Sequence, residues 1–165
     1  MRVSDLVRLY DYNYWANKHL FSAISQLTPE QFTQSVAGSY GSIRNTMVHT
    51  MSAEWGWLER CGGAKRGDKL NPDNYPTVAS LVHAWSRVEA NVRTFLAGLT
   101  DEDLVREVEF VLGDGPTHHR TVGQLMQHAA NHGVHHRGQA ALLLRVLGHS
   151  PGNFDLLFFP DGAQP

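Results

Sequence analysis

Four histidines fall within one short run of the chain: His128, His132, His135 and His136, in the segment H-A-A-N-H-G-V-H-H-R-G-Q that ends at Gln139. His132 and His136 are four residues apart, so on a helix they stand one turn above the other on a single face. Two neutral imidazoles stacked in that way can share one metal ion, and a third ligand from another helix would complete an open site. His49, far upstream in a separate helical segment, is the candidate for that third ligand. Three imidazoles leave at least one coordination position for water or substrate, which is the arrangement of a catalytic rather than a structural zinc site. All-nitrogen ligation suits zinc or nickel, and copper binds at least as tightly when offered.

Helical geometry sorts the clustered histidines. At about 100° per residue, Leu125, Ala129, His132, His136, Ala140 and Leu143 share one stripe, the expected core-facing one, with His132 and His136 roughly 40° apart near its centre. His128 and His135 fall towards one flank. An unpaired polar group in a core costs about 1–3 kcal/mol, and this stripe offers no carboxylate to satisfy two adjacent imidazoles. A metal would. Taken alone, the pair also fits a solvated histidine-rich face or an interface, and His49 alone fits a satisfied core histidine. The small residues Ala53 and Gly56, one and two turns along from His49, leave room for a cleft beside it. A closed structural site would need a fourth protein ligand, and His128, one turn before His132, is the candidate. Cys61 lies three turns beyond His49 and reads as a small apolar side chain.

These side chains need helices to position them, and four long ones are legible. The first spans about Ser4 to Gln26, with Leu6, Leu9, Tyr10, Asn13, Ala16, Asn17, Leu20 and Ile24 recurring at threes and fours. Thr28-Pro29-Glu30 starts a short helix. Ser42 caps the second long helix, to about Arg60, and Gly62-Gly63 stops it before a polar loop through Pro72 and Pro76. Thr77 caps the third, to about Ala97, closed by Gly98. Val105 to Val111 alternates as a strand, Gly113-Asp114-Gly115-Pro116 is a turn, and a hairpin returns through Thr117 to Arg120, with His118 and His119 exposed in its loop. Thr121 caps the fourth long helix, to about Leu147 before Gly148. The apolar tail from Phe154 to Phe159 packs back on the helices. The expected fold is all-α: one four-helix bundle domain over residues 1–165, with a short strand or hairpin inserted before the last long helix.

Composition narrows the partners. A 165-residue chain with 42% apolar and 18% charged residues is large enough to bury a core without disulfides. A formal charge of −2 gives no electrostatic reason to expect nucleic acid or an anionic membrane. No apolar run approaches a bilayer span. Polar residues at Met1 to Asp5 and a single cysteine, Cys61, fit a cytoplasmic protein.

With these motifs in order, the chain resembles the DinB-like superfamily of metal-binding four-helix bundles, also called DinB/YfiT-like. The resemblance spans nearly the whole sequence. It rests on Tyr12-Asn13-Tyr14-Trp15-Ala16-Asn17, Gly41-Ser42-Ile43 with His49, Thr121-Val122-Gly123-Gln124-Leu125, Asn131-His132 and His136-Arg137-Gly138-Gln139. It implies a metal-binding triad of His49, His132 and His136, a bundle that forms homodimers through helix faces, and a metal at one end of a cleft. Characterised relatives include transferases and isomerases that use mycothiol, bacillithiol or glutathione.

The function expected on this basis is a thiol-dependent S-transferase acting on a small-molecule substrate, in which a divalent zinc or nickel ion activates a low-molecular-weight thiol cosubstrate. A coordinating ion deprotonates a thiol, and the thiolate is the reactive form. Arg137 is a candidate for binding a carboxylate of the thiol or electrophile; its alternative is a structural or dimer contact. Asn131 and Gln139 are candidates for orienting the ligand imidazoles. Trp15, Trp57 and Trp85 are candidates for a cleft mouth. The rival enzyme is a metal-dependent hydrolase, which would want a carboxylate near the bound water; Glu54 and Glu89 on the middle helices have no clear claim. A non-enzymatic metal-binding protein is the third alternative.

Overall fold

Three of the four long helices begin at a residue whose side chain accepts from the first turn. In the computed structural model, which describes residues 1–65 and 67–160, the helices are α1 (Val3–Ile24), the short α2 (Pro29–Thr33), α3 (Ile43–Cys61), α4 (Val78–Ala97) and α5 (Val122–Val146). Thr28, Ser42, Thr77 and Thr121 are the N-caps of α2 to α5, and each side chain accepts from a backbone N–H in the first turn of its helix. Between α4 and α5 lies an antiparallel hairpin of β1 (Glu107–Val111) and β2 (Thr117–Thr121). The first strand starts two residues later than its alternation suggests, because Asp103–Val105 forms a single 3-10 turn.

The four long helices close into a ring: α5 packs on α3 and α1, and α4 packs on the same two. Helices α3 and α5 are therefore neighbours, which brings His49 to His132 and His136. Leu6, Leu20, Ile24, Ile43, Met47, Leu81, Val92, Met126 and Leu144 fill the core. The tail does pack back as expected. Phe159 and Phe154 sit against Tyr12, Trp15 and Ala16, and the Tyr12 hydroxyl donates to the Phe154 carbonyl at 3.2 Å.

At the centre of the ring, a polar cluster joins all four helices. Glu54 of α3 is only 5% exposed, yet its carboxylate accepts from the Tyr14 hydroxyl (2.8 Å), Trp85 Nε1 (2.7 Å) and Asn13 Nδ2 (3.4 Å). Arg137 of α5 is 2% exposed and donates to the side-chain oxygens of Asn13 and Asn17 on α1. Asn13 thus stands between a buried cation and a buried anion, using its oxygen for one and its nitrogen for the other. Burial holds the Glu54 carboxyl above the usual carboxylate range, and its bonds from Tyr14 and Trp85 and the nearby Arg137 charge offset this only in part. Every neighbour that bonds it is a donor, so the ionised form is the one this pocket solvates. Gly133 makes the cluster possible. A Cβ there would lie 2.9 Å from Asn13 Oδ1 and 3.2 Å from Arg137 Nη1.

Arg137, read from sequence as a candidate for holding a ligand carboxylate, uses Nη1 in this cluster, and its buried Nη2 has no hydrogen-bond partner among the described residues. Its guanidinium also lies over the Tyr12 ring, 5.6 Å from the centroid. Its partners on α1 are neutral amides, and among the described residues Arg137 makes no salt bridge.

Among the described residues, no helix is long and apolar enough to cross a membrane.

Candidate metal centre

The histidine stripe of α5 faces α3 as the 3.6-residue period requires. The ring centroids of His132 and His136 are 4.3 Å apart, and that of His49 is 5.2 Å from His132 and 4.7 Å from His136. One ring nitrogen from each of the three lies within 4.8 Å of the others, close enough to hold a metal ion. The fit is closest for the α5 pair, whose Nε2 atoms are 3.0 Å apart. Two nitrogens that share one ion at about 2.0–2.1 Å stand roughly 3 to 3.4 Å from each other.

The tautomer of His136 is fixed by Gln139, one turn along. The Gln139 side-chain oxygen can only accept, so His136 Nδ1 carries the proton and donates to it at 2.7 Å. That leaves the lone pair on Nε2, aimed at His132. The same oxygen accepts from the Ser39 hydroxyl at 2.7 Å, and Gln139 Nε2 meets His135 Nε2 at 2.9 Å. Gln139 is therefore an orienting partner, as expected. Asn131 instead faces the neighbouring cavity beside His128.

Burial, followed by the neighbouring His136, His49, His128 and His135, pushes His132 down to about 4. Burial likewise lowers His136, with the Gln139 bond opposing it. Imidazoles held neutral at pH 7 are ready ligands, since no proton must leave before a cation binds.

Tyr40 was not singled out in the sequence. It sits in the loop before α3, its ring stacked on His49 at 3.9 Å and its hydroxyl 2.9 Å from His49 Nε2. Gly38 (φ 97°), Ser39 (φ 49°) and Gly41 (φ 82°) turn the loop over the site. Ser39 is the one non-glycine residue with positive φ among those described, a conformation that costs on the order of 1 kcal/mol. Its hydroxyl bonds to Gln139 and Thr46, which hold it there. The spacing G-S-Y-G-S just ahead of a capped helix was the available signal.

Other candidates fall outside the triad. The ring of His128 packs edge-on against Trp57 at 5.1 Å, its centroid 5.9 Å from His132, and it does not join the metal-binding group. No cysteine or carboxylate joins that group among the described residues either. Cys61 is fully buried, and burial pushes its thiol up to about 12. Glu54 is committed to the core, and Glu89 pairs with Arg93 at 2.9 Å. Trp85 is buried beside Glu54 and Trp15 packs on His19 and Phe159, so Trp57 alone of the three tryptophan candidates lines the cavity next to the triad. His118 and His119 lie on β2 rather than in the turn. His118 is half-buried and stacked on Phe110 at 5.5 Å.

Three histidines from two neighbouring helices of a four-helix bundle, close enough together to bind a metal ion, define the class of helical protein to which this site belongs. The chain belongs to the DinB family, whose model matches residues 1–165. Protein DinB of Bacillus subtilis (strain 168) is 26% identical over 161 residues, covering 92% of each chain. YizA of the same organism is 22% identical over 146 residues, covering 88% of this chain and 90% of its own. The fold is shared with the crystal structure of a DinB-like protein from Bacillus cereus (TM-score 0.73, 19% identity, 92% of this chain and 97% of the other). A conserved protein from Enterococcus faecalis also shares it (TM-score 0.68, 17% identity, 90% and 99%).

Proposed function

We propose that His49, His132 and His136 bind one zinc or nickel ion and that the protein is a thiol-dependent S-transferase. The observation that carries this is the meeting of His136 Nε2 and His132 Nε2 at 3.0 Å, with the His136 ring held from its other side by Gln139 and His49 alongside. A divalent ion held there would favour the deprotonated, nucleophilic form of a low-molecular-weight thiol. The chain's own contribution is positional. Gln139 and Ser39 hold the ligand ring and the overlying loop in one arrangement. The Tyr40 hydroxyl lies 2.9 Å from His49 Nε2 and could donate to a group that arrives beside that ring.

A thiol suits this site better than a water because none of the described carboxylates joins the triad to serve as a base. A closed, purely structural site would need a fourth protein ligand, and His128 is turned to Trp57 instead. Pairing of two copies through a helix face is supported by the exposed Val134, Leu142 and Val146 on the outer side of α5. A cytoplasmic setting, where such thiols are abundant, completes the proposal.

The test is metal analysis of untagged wild-type protein beside His132→Ala, followed by assay of mycothiol, bacillithiol and glutathione against an electrophile panel. The expected result is about one ion per chain, lost in the variant, and thiol consumption that requires the ion. Wild-type protein that arrives metal-free and refuses added zinc and nickel would overturn the metal centre. Full metal occupancy with no thiol consumed would overturn the transferase.

A further inference from the structure

We propose that the cavity between the hairpin and helices α3 and α5 is a binding site for a small aromatic carboxylate. The cavity has a volume of about 480 Å³, within the range of small-molecule sites. Its walls follow from the hairpin register. Val108 pairs with Arg120 and Phe110 with His118, so these residues share the face turned to the bundle. Glu107 and Glu109 alternate to the outer face, where Glu109 meets His119. The two acids of the hairpin's strands are thus segregated from the cavity, while Arg120 and His118 line it.

The rings of Trp57, Phe110 and His128 form one part of the remaining lining, and Leu112, Leu125, Gln124, Gln127 and Asn131 form the other. Phe110 stands edge-on to Trp57 at 5.2 Å, and Trp57 edge-on to His128 at 5.1 Å. The Arg60 guanidinium lies over the Trp57 ring, 4.8 Å from its centroid. No aspartate or glutamate is among the described residues that line the cavity. A flat apolar body between aromatic walls gains area and edge-to-face contacts. A carboxylate on that body meets Arg120, whose guanidinium forks onto such groups and, among the described residues, donates to the neighbouring His119 carbonyl at 2.7 Å. A positively charged substituent would find cations and no counter-ion.

The cavity adjoins the triad through one of its walls. His128 is a wall of the cavity, and its ring centroid is 5.9 Å from that of His132. Delivery of a molecule seated against Trp57 to the triad would have to pass His128. That last step, delivery of the electrophile, rests on the function proposed above; recognition of the aromatic acid rests on the cavity alone.

The experiment is calorimetric titration of the full chain with 2-naphthoate and with the uncharged 2-naphthylmethanol, using both metal-stripped and zinc-treated protein. Two surface variants accompany the wild type, Arg120→Gln and Leu112→Asp, the latter placing an acid on the cavity rim at a residue that is 47% exposed. The expected result is that stripped wild-type protein binds the acid more tightly than the alcohol. Each variant should then weaken the acid by about fivefold or more and leave the alcohol nearly unchanged. Such a result in a protein that takes up no zinc would uphold the cavity while refuting the metal centre. Binding of the acid only to zinc-treated protein, with Arg120→Gln unaltered, would mean the carboxylate is ligating metal and would overturn the proposal. Equal binding of acid and alcohol, or of neither, would overturn it as well.

Discussion

Glutamine in place of Glu54 keeps the shape of the side chain and removes its charge from the centre of the bundle. In the native protein one carboxylate oxygen accepts from Tyr14 and Asn13 and the other from Trp85. An amide has one oxygen. Whichever way it turns, its NH₂ group faces a donor, and at least one buried donor loses its acceptor at about 1–3 kcal/mol. The Arg137 cation, which reaches Glu54 only through Asn13, also loses the nearest buried anion. Breaking a directly paired buried ion costs about 3–5 kcal/mol, and the intervening amide softens this. Together the substitution should destabilise the protein by about 3–5 kcal/mol, a large part of the 5–15 kcal/mol typical of a domain. With a urea slope of about 2 kcal/mol/M, the midpoint should fall by about 1.5–2.5 M. Far-UV circular dichroism at pH 7.5 reads this without relying on Trp85, whose surroundings change. Adding Arg137→Met should recover at least about 1 kcal/mol relative to the sum of the single changes, since both ends of the charge pair are then gone. A Glu54→Gln variant within about 0.5 kcal/mol of wild type would refute the reasoning. It would mean that Glu54 is protonated in the fold, so that nothing is lost when its charge is removed.

Three further outcomes follow from particular contacts. Gly133→Ala should destabilise the protein by about 1–3 kcal/mol despite alanine's better helix propensity, because Asn13 is pinned and cannot retreat from the added methyl; a urea midpoint at or above that of wild type would contradict this. Gln139→Leu should weaken zinc binding by about 10–100-fold with little change in helicity, by freeing the His136 ring; competition with a chromogenic chelator measures it, and unchanged affinity would remove Gln139 from the site. The metal-free protein should lose stability as pH falls from 6.5 to about 4, since His132 stays neutral in the fold while the unfolded chain takes up a proton. Above that window the residue is neutral in both states and contributes no slope. Screening of the partly exposed ring limits the loss to about 1–2 kcal/mol, and a His132→Asn variant should show a shallower fall; parallel curves would assign the slope to other groups.

The helix frame was legible because each start is local: Ser42, Thr77 and Thr121 bond within three residues of themselves. The pairing of His132 with His136 was legible for the same reason, being a matter of helical period. Arg137 was not, since its partners lie on α1, more than a hundred residues away, and nothing in H-R-G-Q marks the guanidinium as buried. A trace of the answer was present in the first helix, where Asn13 and Asn17 interrupt an otherwise apolar stripe and so require something polar to face. Glu54 has the same history: on a helix read alone it is one charged residue among many, and only Tyr14 and Trp85 from other helices reveal it as an acceptor. His118 was placed in a loop because the turn signal of Gly113 to Pro116 was extended too far. The alternation from Thr117 to Thr121 already assigns it to a strand face.

Thr121 is both the last residue of β2 and the cap of α5, and the Val122 amide bonds back to the Arg106 carbonyl at 3.0 Å. The hairpin is thus welded to the helix that carries His128, His132 and His136, with no residue between them to act as a hinge. A molecule entering beside Trp57 meets a fixed template, and its admission should be governed by diffusion and fit instead of by the closing of a flap. In such a design, altered selectivity would come from exchanging side chains on the inner face of the hairpin, at positions 110, 118 and 120, while the ligand-bearing helix stays as it is.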